Sequence, residues 1–442
     1  MTTWLPWKKT LERDLDRARD YASWLASWDE KQTAELQLQR LQSVWDDCVA
    51  NVPYYRNLVK RGNAPDKISS WADFHTIPEL TRDIMRDHAT EFTRDSQPRD
   101  YTRMTGGSTA TPIHFGGWKS EDETLRVLKL VLWLQCGYDI DARLFLIWGH
   151  SHLLGTGWRR WWNHAQRKAK DRLAGYWRAD AYSLWPEQCQ KLAKKFVAFC
   201  PTGLIGYASA LDYFVRTTPE FHKQFRNLGV RFVMPAAEPA PKPDTFALFR
   251  EVFGCPVVQE FGGVDFGQVG MKIDDQPFKI FPDHNILEAM PLPGEAPETN
   301  AALVTTLYRR YTPLIRYRQG DLIHGVRRLT HGHVTEFQSL AGRTNDLVKL
   351  TEDRYVHSVA FLHCVHQEKS ILNAQLALYD TEIIMRLVTT ADYNGECEKR
   401  IRHRLGQLAP ELASLRFQLV PDVETSIAGK RRWFVDHRAS AA

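Results

Sequence analysis

Cysteine is sparse and unpatterned in this chain. The seven cysteines, at positions 48, 136, 189, 200, 255, 364 and 397, are odd in number and nowhere spaced as Cys-x-x-Cys. That argues against a zinc ribbon or a disulfide framework and fits a reducing compartment. Apolar runs long enough to span a bilayer are missing too, since most are broken by a charge within about ten residues. The opening Met-Thr-Thr-Trp-Leu-Pro-Trp-Lys-Lys lacks the apolar segment of a signal peptide. The expectation is a cytoplasmic protein without a membrane span. Charge of a single sign is lacking as well. A net charge of +5 over 442 residues suits an anionic small-molecule substrate and does not select nucleic acid. Internal repeats and low-complexity linkers are absent.

What is present is a soluble globular composition, 43% hydrophobic and 25% charged. The length exceeds what one compact core accommodates, so two to three domains are expected. Residues 1–95 read as helical and polar: Leu11 to Ala50 places apolar residues three to four apart, and Pro53-Tyr-Tyr-Arg56 ends that run. From residue 120 short apolar strands alternate with single helices. Helices are expected at Glu121–Cys136, Pro186–Phe199, Ala210–Leu228 and Phe246–Phe253. Strands are expected at Leu144–Trp148, Gly203–Tyr207, Val230–Met234 and Pro256–Gln259. This alternation predicts a parallel sheet with crossover helices, in which ligands bind beyond the carboxyl ends of the strands.

The segments after three of these strands are small or glycine-rich: Tyr207-Ala-Ser-Ala210, Pro235-Ala-Ala-Glu-Pro239 and Glu260-Phe-Gly-Gly-Val-Asp-Phe-Gly267. A flat ligand can approach backbone there, and Glu238 and Asp265 add carboxylates. Earlier in the chain, Thr105-Gly-Gly-Ser-Thr-Ala-Thr-Pro112 is a loop whose amides and hydroxyls suit a polyphosphate. It lacks the Gly-Lys-Ser/Thr ending of a Walker loop, and a solvated turn reads equally well. Trp158-Arg-Arg-Trp-Trp-Asn-His-Ala-Gln-Arg-Lys-Ala-Lys170 interleaves aromatics with basic residues, as nucleic-acid and membrane-surface segments do. At helical spacing its tryptophans equally suit the buried side of a surface helix. His150-Ser-His152 has no third metal ligand nearby.

Strands resume at Leu303–Leu307, Leu314–Tyr317, Leu322–His324 and Val334–Phe337. The third quarter of the chain ends with Tyr311-Thr-Pro-Leu-Ile-Arg-Tyr-Arg-Gln-Gly-Asp321, where Arg309, Arg310, Arg316 and Arg318 crowd one short strand. A strand needs none of that charge. A polar site on rigid backbone and a salt-bridged sheet edge both account for it. The last 95 or so residues predict a small α+β domain: helix Tyr355–His366, strands Leu372–Leu378 and Glu382–Val388, helix Glu396–Leu405 and strand Leu415–Val420. A glycine turn, Ala428-Gly-Lys-Arg-Arg432, follows.

In this order, the segments resemble the adenylate-forming enzymes, in the branch of phenylacetate–CoA ligases and related capsule-biosynthesis proteins. The resemblance covers roughly 100–350 and the final turn. Its most specific pieces are Thr312-Pro-Leu-Ile-Arg-Tyr-Arg-Gln-Gly-Asp321 and Gly342-Arg-Thr-Asn-Asp-Leu-Val-Lys349. It implies an α/β fold with a large N-terminal domain, 1–345, of mostly parallel sheets, crossover helices and a β-rich subdomain. That domain has a helical part at 1–95 and a nucleotide-binding core at 96–345. A small mobile α+β domain, 346–442, would follow as a lid.

The implied activity is activation of a carboxylic acid with ATP and Mg²⁺ to an acyl-adenylate, releasing pyrophosphate, then transfer to CoA. The implied phosphate loop is Thr105, Gly106, Gly107, Ser108 and Thr109. Ala237, Glu238 and Pro239 would pack beside adenine, with Phe261 and Gly262 also lining the nucleotide. Asp321 would accept hydrogen bonds from the ribose, and Arg343 would reach the sugar or a phosphate, with Lys349 nearby. Lys430 would bridge carboxylate and α-phosphate, and Asp346 would be the hinge that swaps it out between half-reactions.

Two departures qualify this. The family's aromatic-Gly-x-x-Glu appears as Phe261-Gly-Gly-Val-Asp265, and Asp265, one methylene shorter, is the implied metal ligand. After Lys349, where CoA-using members carry a glycine and then a proline, the chain reads Leu350-Thr-Glu-Asp-Arg-Tyr-Val-His-Ser358. An amine or a carrier-protein thiol is therefore an alternative acceptor, and a nucleotide-binding protein with weakened catalysis is a second alternative. An aryl or hydrophobic acid is the expected substrate by analogy. A homodimer is compatible with the family, and nucleic acid is not an expected partner.

Overall fold

A computed structural model describes residues 6–27, 29–95, 97–104, 113–148, 157–179, 181, 184, 186–237, 240–292, 298–343, 347–351, 354–357, 364–365, 368–379, 382–408, 410–424 and 434–437. In chain order the helices are α1 (Pro6–Ser27), α2 (Glu30–Asn51), α3 (Pro53–Lys60), α4 (Trp71–Thr76), α5 (Arg82–Asp87), α6 (Lys119–Gln135), α7 (Gly157–Leu173), α8 (Pro186–Phe199), α9 (Ala208–Arg216), α10 (His222–Asn227), α11 (Thr245–Phe253) and α12 (Gly395–Leu408). The strands are β1 (Leu80–Thr81), β2 (Tyr101–Met104), β3 (His114–Gly117), β4 (Leu144–Ile147), β5 (Tyr176–Ala179), β6 (Gly203–Tyr207), β7 (Phe232–Ala236), β8 (Val258–Gly263), β9 (Gly267–Ile273), β10 (Phe278–Ile280) and β11 (Asn285–Pro291). They continue with β12 (Thr299–Thr306), β13 (Tyr317–Arg328), β14 (Val334–Arg343), β15 (Leu347–Thr351), β16 (Arg354–His357), β17 (Ile371–Leu378), β18 (Ile383–Thr389), β19 (Arg416–Leu419) and β20 (Phe434–Asp436).

The chain divides into two compact units. One comprises Met1–Thr105, Pro112–Ala142 and Val258–Ala341; the other contains Arg143–Val257 and Gly342–Ala442. In the first, a sheet ordered β11-β12-β13-β14-β10-β9-β8 is antiparallel throughout, and only the short β1 joins it in parallel, beside β13. Helices α2 to α5 cover it. Trp45, Tyr55, Phe74 and Met85 bury against Ile286, Val304, Ile315 and Phe337.

In the second unit the parallel sheet is β5-β4-β6-β7. Its strand β6 is buried at every position, as a continuous apolar run in a parallel sheet must be. Phe196, Phe214, Phe225 and Phe253 from α8 to α11 form its core. A four-stranded sheet, β19-β18-β17-β20, carries α12 and its own core of Leu376, Met385, Leu387, Ile401 and Leu405. The mixed α/β class expected from the sequence is observed, with one parallel sheet.

Five expectations are corrected. The helical run Leu11–Ala50 breaks at residue 29, where Asp29 caps α2 by accepting from the Gln32 amide. Ala210–Leu228 is two helices, because Thr217-Thr218-Pro219 turns the chain through a 3₁₀ segment. Pro256–Gln259 does not extend the parallel sheet: Val257 makes one parallel bridge to Val233, and β8 onward pairs antiparallel with β9. Phe261 and Gly262 accordingly lie within a strand, not in a loop beyond one. Tyr355–His366 begins as β16, paired with β15 with Lys349 opposite Tyr355, and not as a helix. Leu314–Tyr317 is not a strand, since β13 starts only at Tyr317 and runs to Arg328.

The cause of that last shift is an ion pair. Arg316 lies in the left-handed region (φ +50°), a strain of about 1–3 kcal/mol for a residue with a Cβ. Its guanidinium is buried and donates to both Glu288 carboxylate oxygens, to His75 O (2.9 Å) and to Ile77 O (2.5 Å). Its amide donates to Thr305 Oγ1 (2.8 Å). Burial raises the Glu288 carboxyl above its usual range, and Arg316 pulls it back. Arg318 pairs with Glu79 (2.6 Å). Both arginines left open by the sequence therefore brace the sheet. Glu288→Ala is expected to cost about 3–5 kcal/mol in urea unfolding, because it strands a buried guanidinium. The double change Glu288→Leu/Arg316→Met should recover much of that loss.

Beside this pair sits a histidine cluster. His331 stacks on Trp71 (4.7 Å), and His333 packs edge-on to both Trp71 and His331 (4.4 Å each), with His75 at 5.6 Å. Burial drives the His333 imidazole from 6.5 down to about 2, with His331, His75 and Arg316 adding to the effect. A depressed folded-state value means the contribution is intact above pH 6.5 and lost as the pH falls. The slope is about 1.4 kcal/mol per pH unit for one proton. His333→Phe is expected to flatten the loss of stability between pH 6.5 and 4, read from urea midpoints. An unchanged slope would remove His333 as its source.

Candidate functional site

The geometry of the first unit starts from the entry to β13. Between the pairs Ala301–Leu322 and Leu303–Arg318, β13 carries Gln319, Gly320 and Asp321 opposite the single residue Ala302. Such a bulge re-aims the side chains it carries. Gly320 makes it possible with φ +99°, a conformation costly for any residue with a Cβ. With its amide oriented to suit the network, buried Gln319 donates to Tyr317 O (3.0 Å) and Ala302 O (2.9 Å), tying the bulge to both strands. Asp321 is the next residue, half-buried, on the bulge. The Gln-Gly-Asp sequence is thus the chemistry of a bulge presenting one carboxylate.

Tyr317 begins the same strand, and its hydroxyl donates to Asp265 Oδ2 (2.9 Å). Arg82, from α5, reaches the pair: its Nε donates to the Tyr317 hydroxyl (3.3 Å) and its Nη2 to Asp265 Oδ2 (3.4 Å). Burial, then the Asp265 charge, pushes the Tyr317 hydroxyl well up, so it stays protonated and donating. Asp265 itself is only 2% exposed. It sits in the three-residue loop between β8 and β9, closed by Gly267 in the left-handed region (φ +75°). The loop folds tightly because Gly263 lacks a Cβ, which would lie 2.5 Å from Asp265 Oδ1. Phe261 is buried against Phe266 and Phe337. Sequence reasoning missed Arg82 and Tyr317; they lie 183 and 52 residues from Asp265, and no local pattern marks either.

Asp265 is the expected Mg²⁺ ligand. Among the described residues no group of three or more His, Cys, Asp or Glu could hold a metal ion. Mg²⁺ on a triphosphate needs only one or two protein carboxylates, the rest being phosphate and water oxygens. The hydrogen bonds from Tyr317 and Arg82 both fall on Oδ2. The residue is compatible with the metal, in competition with the Arg82 guanidinium.

In the second unit the carboxyl ends of β4, β6 and β7 lie side by side. Gly206 is opposite Pro235 and Tyr207 opposite Ala236. Trp148, just after β4, packs on buried Tyr207 with ring centroids 4.6 Å apart, at the edge of the unit's core. Ala237 follows β7 in the left-handed region (φ +65°). Strain of this kind at a non-glycine collects at ligand sites. The chain beyond it is tied down: the Lys242 amide donates to Thr245 Oγ1 (3.1 Å), Thr245 donates to Asp212 (2.8 Å), and Arg216 donates to Asp212 (3.0 Å) and Asp244 (2.6 Å).

Several expected site residues lie outside the described residues: Thr105, Gly106, Gly107, Ser108 and Thr109, then Glu238, Pro239, Asp346 and Lys430, as do His150 and His152. Arg343 ends β14 and Lys349 lies on β15.

Along 426 residues the chain is 21% identical to Protein CapK of Staphylococcus aureus, covering 91% of this chain and 89% of that one. Its backbone is similar to crystal structures of 2-hydroxyisobutyryl-CoA ligase. Against the postadenylation state with 2-HIB-AMP the TM-score is 0.67 at 16% identity, covering 91% of this chain and 89% of that chain. Against the thioesterification state with 2-HIB-AMP and CoA it is 0.57 at 16% identity, covering 93% and 91%. No protein-family model matches the chain.

Gly320→Ala is expected to cost about 1–3 kcal/mol in urea unfolding through strain at the bulge. An unchanged midpoint would show that the bulge does not need its glycine.

Proposed function

We propose that this chain, which has the fold of the adenylate-forming ligases, activates a carboxylic acid with ATP and passes the acyl group to CoA. The observation that carries the reading is Asp321 presented on the Gly320 bulge of the strand whose first residue, Tyr317, holds Asp265. A half-buried carboxylate on rigid backbone suits paired ribose hydroxyls, which donate two hydrogen bonds to one acceptor. Ala237, Glu238 and Pro239 are assigned to the adenine and exposed Gly262 to the nucleotide, with Phe261, buried in the core, behind it. The hydroxyls and amides of Thr105–Thr109 take the phosphates.

In the first half-reaction a carboxylate oxygen of the acid attacks the α-phosphorus. The α–β anhydride bond breaks and pyrophosphate leaves with the bonding electron pair. Lys430 offsets charge on carboxylate and α-phosphate as it shifts, while Arg343 and Lys349 serve the sugar and phosphates. Mg²⁺, when bound, neutralises triphosphate charge, and Asp265 is the residue that would hold it. Rotation about Asp346 then withdraws Lys430. In the second half-reaction the CoA sulfur, giving up its thiol proton to solvent, attacks the acyl carbon, the acyl–oxygen bond to AMP breaks, and AMP leaves with that electron pair. An aryl or hydrophobic acid is the proposed substrate, by analogy with the family.

A second reading transfers the acyl group to an amine or a carrier-protein thiol. It is favoured by Leu350–Ser358, which lacks the glycine and proline of CoA-using relatives. A third, a nucleotide-binding protein with weakened catalysis, is favoured by the Arg82 contact to Asp265. Product analysis with CoA, with amines and with neither separates them. Thioester formation is expected; acid-dependent AMP release that CoA never converts to thioester would support the second reading, and no AMP release with any acid the third. Lys430→Ala is expected to lower adenylation by about 10²–10³-fold with ATP affinity retained. Asp321→Ala should instead raise KM for ATP about tenfold or more. Full activity in either variant would remove its assigned role.

A further inference from the structure

No step of the proposed adenylation chemistry uses the basic, tryptophan-rich segment. Residues 157–179, spanning α7 and β5, hold seven Lys and Arg against one Asp, a net +6, whereas the whole chain is +5. The rest of the protein is therefore close to neutral, and its excess positive charge is concentrated here. The same 23 residues hold four of the 15 tryptophans. The single acid is spent internally, because Asp171 accepts from Arg178 through both oxygens (3.0 and 3.1 Å).

Burial of a tryptophan stripe does not describe Trp162, which is 52% exposed. Ala165, Gln166, Lys168, Ala169, Lys170 and Arg172 of α7 are exposed with it, while Arg167 and Asp171 are half-buried on the opposite side. At 100° per residue, Ala169 and Ala165 fall within about 60° of Trp162. Lys170 lies about 80° to one side, and Arg172 and Lys168 about 80° and 120° to the other. The face is a shallow apolar strip flanked by cations on both sides. On the neighbouring edge strand β5, Trp177 is 40% exposed, with Lys195 of α8 5.8 Å from its ring centroid.

We propose that the outer face of α7 docks on an anionic lipid bilayer. Tryptophan is the residue that settles at headgroup depth, small alanines let the helix lie flat, and flanking long cations reach lipid phosphates. Phosphate backbones of nucleic acid would place the cations at the centre of the face and leave Trp162–Ala165–Ala169 without a role. A second copy of the same +6 surface is disfavoured by like charge.

Co-sedimentation of the full chain with phosphatidylcholine vesicles, with and without 30% phosphatidylglycerol by composition, tests this. Binding is expected only to the anionic vesicles, weakening as salt rises. Lys168→Glu/Lys170→Glu/Arg172→Glu should weaken it by about 100-fold, and Trp162→Ala should weaken it at both low and high salt. Both variants change only exposed side chains, so the melting temperature is expected to stay unchanged. Equal binding to neutral vesicles, vesicle binding untouched by the triple change, a preference for duplex or single-stranded nucleic acid, or a dimer abolished by that change would each overturn the proposal.

Discussion

A buried ion pair holds the strand on which the candidate site hangs. Arg316 is forced into a left-handed backbone, and Glu288 with the carbonyls of His75 and Ile77 accounts for its charge and its strain together. One residue later Tyr317 enters the sheet opposite Leu80 on one side and Val304 on the other. Its hydroxyl reaches Asp265, and the bulge that carries Asp321 opens two residues beyond it. A slip of one residue at Arg316 would turn Tyr317 away from Asp265 and move the bulge off Ala302. The pair is expensive to bury and adds little net stability. What it supplies is register, which a site built from single side chains on a strand requires.

Much of the fold could be read from the chain, for identifiable reasons. Pro186–Phe199 and Gly203–Tyr207 were located to the residue, because an amphipathic repeat and a wholly apolar run are local signals. The misread elements depend on partners outside their own segment. Arg316 looks like a strand residue until Glu288 captures it, and Pro256–Gln259 looks parallel until β9 pairs antiparallel with Val258–Gly263. Tyr355 resembles a helix start, yet it pairs across a hairpin with Lys349. Strands β5 and β20 are short and sit at sheet edges, where pattern is weakest.

The site divides the same way. Gly320 and Asp321 stood out as a glycine turn followed by a fixed acid, and the turn is a bulge within β13. Ala237 stood out through its motif, but its strain was invisible. The contacts of Arg82 and Tyr317 with Asp265 are products of tertiary structure alone. The two arginines that drew attention first, Arg316 and Arg318, serve the scaffold: each is paired with a carboxylate, Glu288 or Glu79. Charge in a strand thus marked the framework, and the candidate carboxylates, Asp321 and Asp265, sit at glycine-shaped irregularities. The remaining positive charge gathers on α7, away from any role in the proposed chemistry.

The central claim is that a carboxylic acid and ATP meet on this fold to form an acyl-adenylate reversibly. Acid-dependent exchange of labelled pyrophosphate into ATP measures that step alone, with no acceptor present. The account predicts exchange that needs a carboxylic acid and Mg²⁺ and saturates with both acid and ATP. Across a broad panel of aryl and aliphatic acids, exchange no faster than without acid, in a protein that still binds ATP, would contradict it.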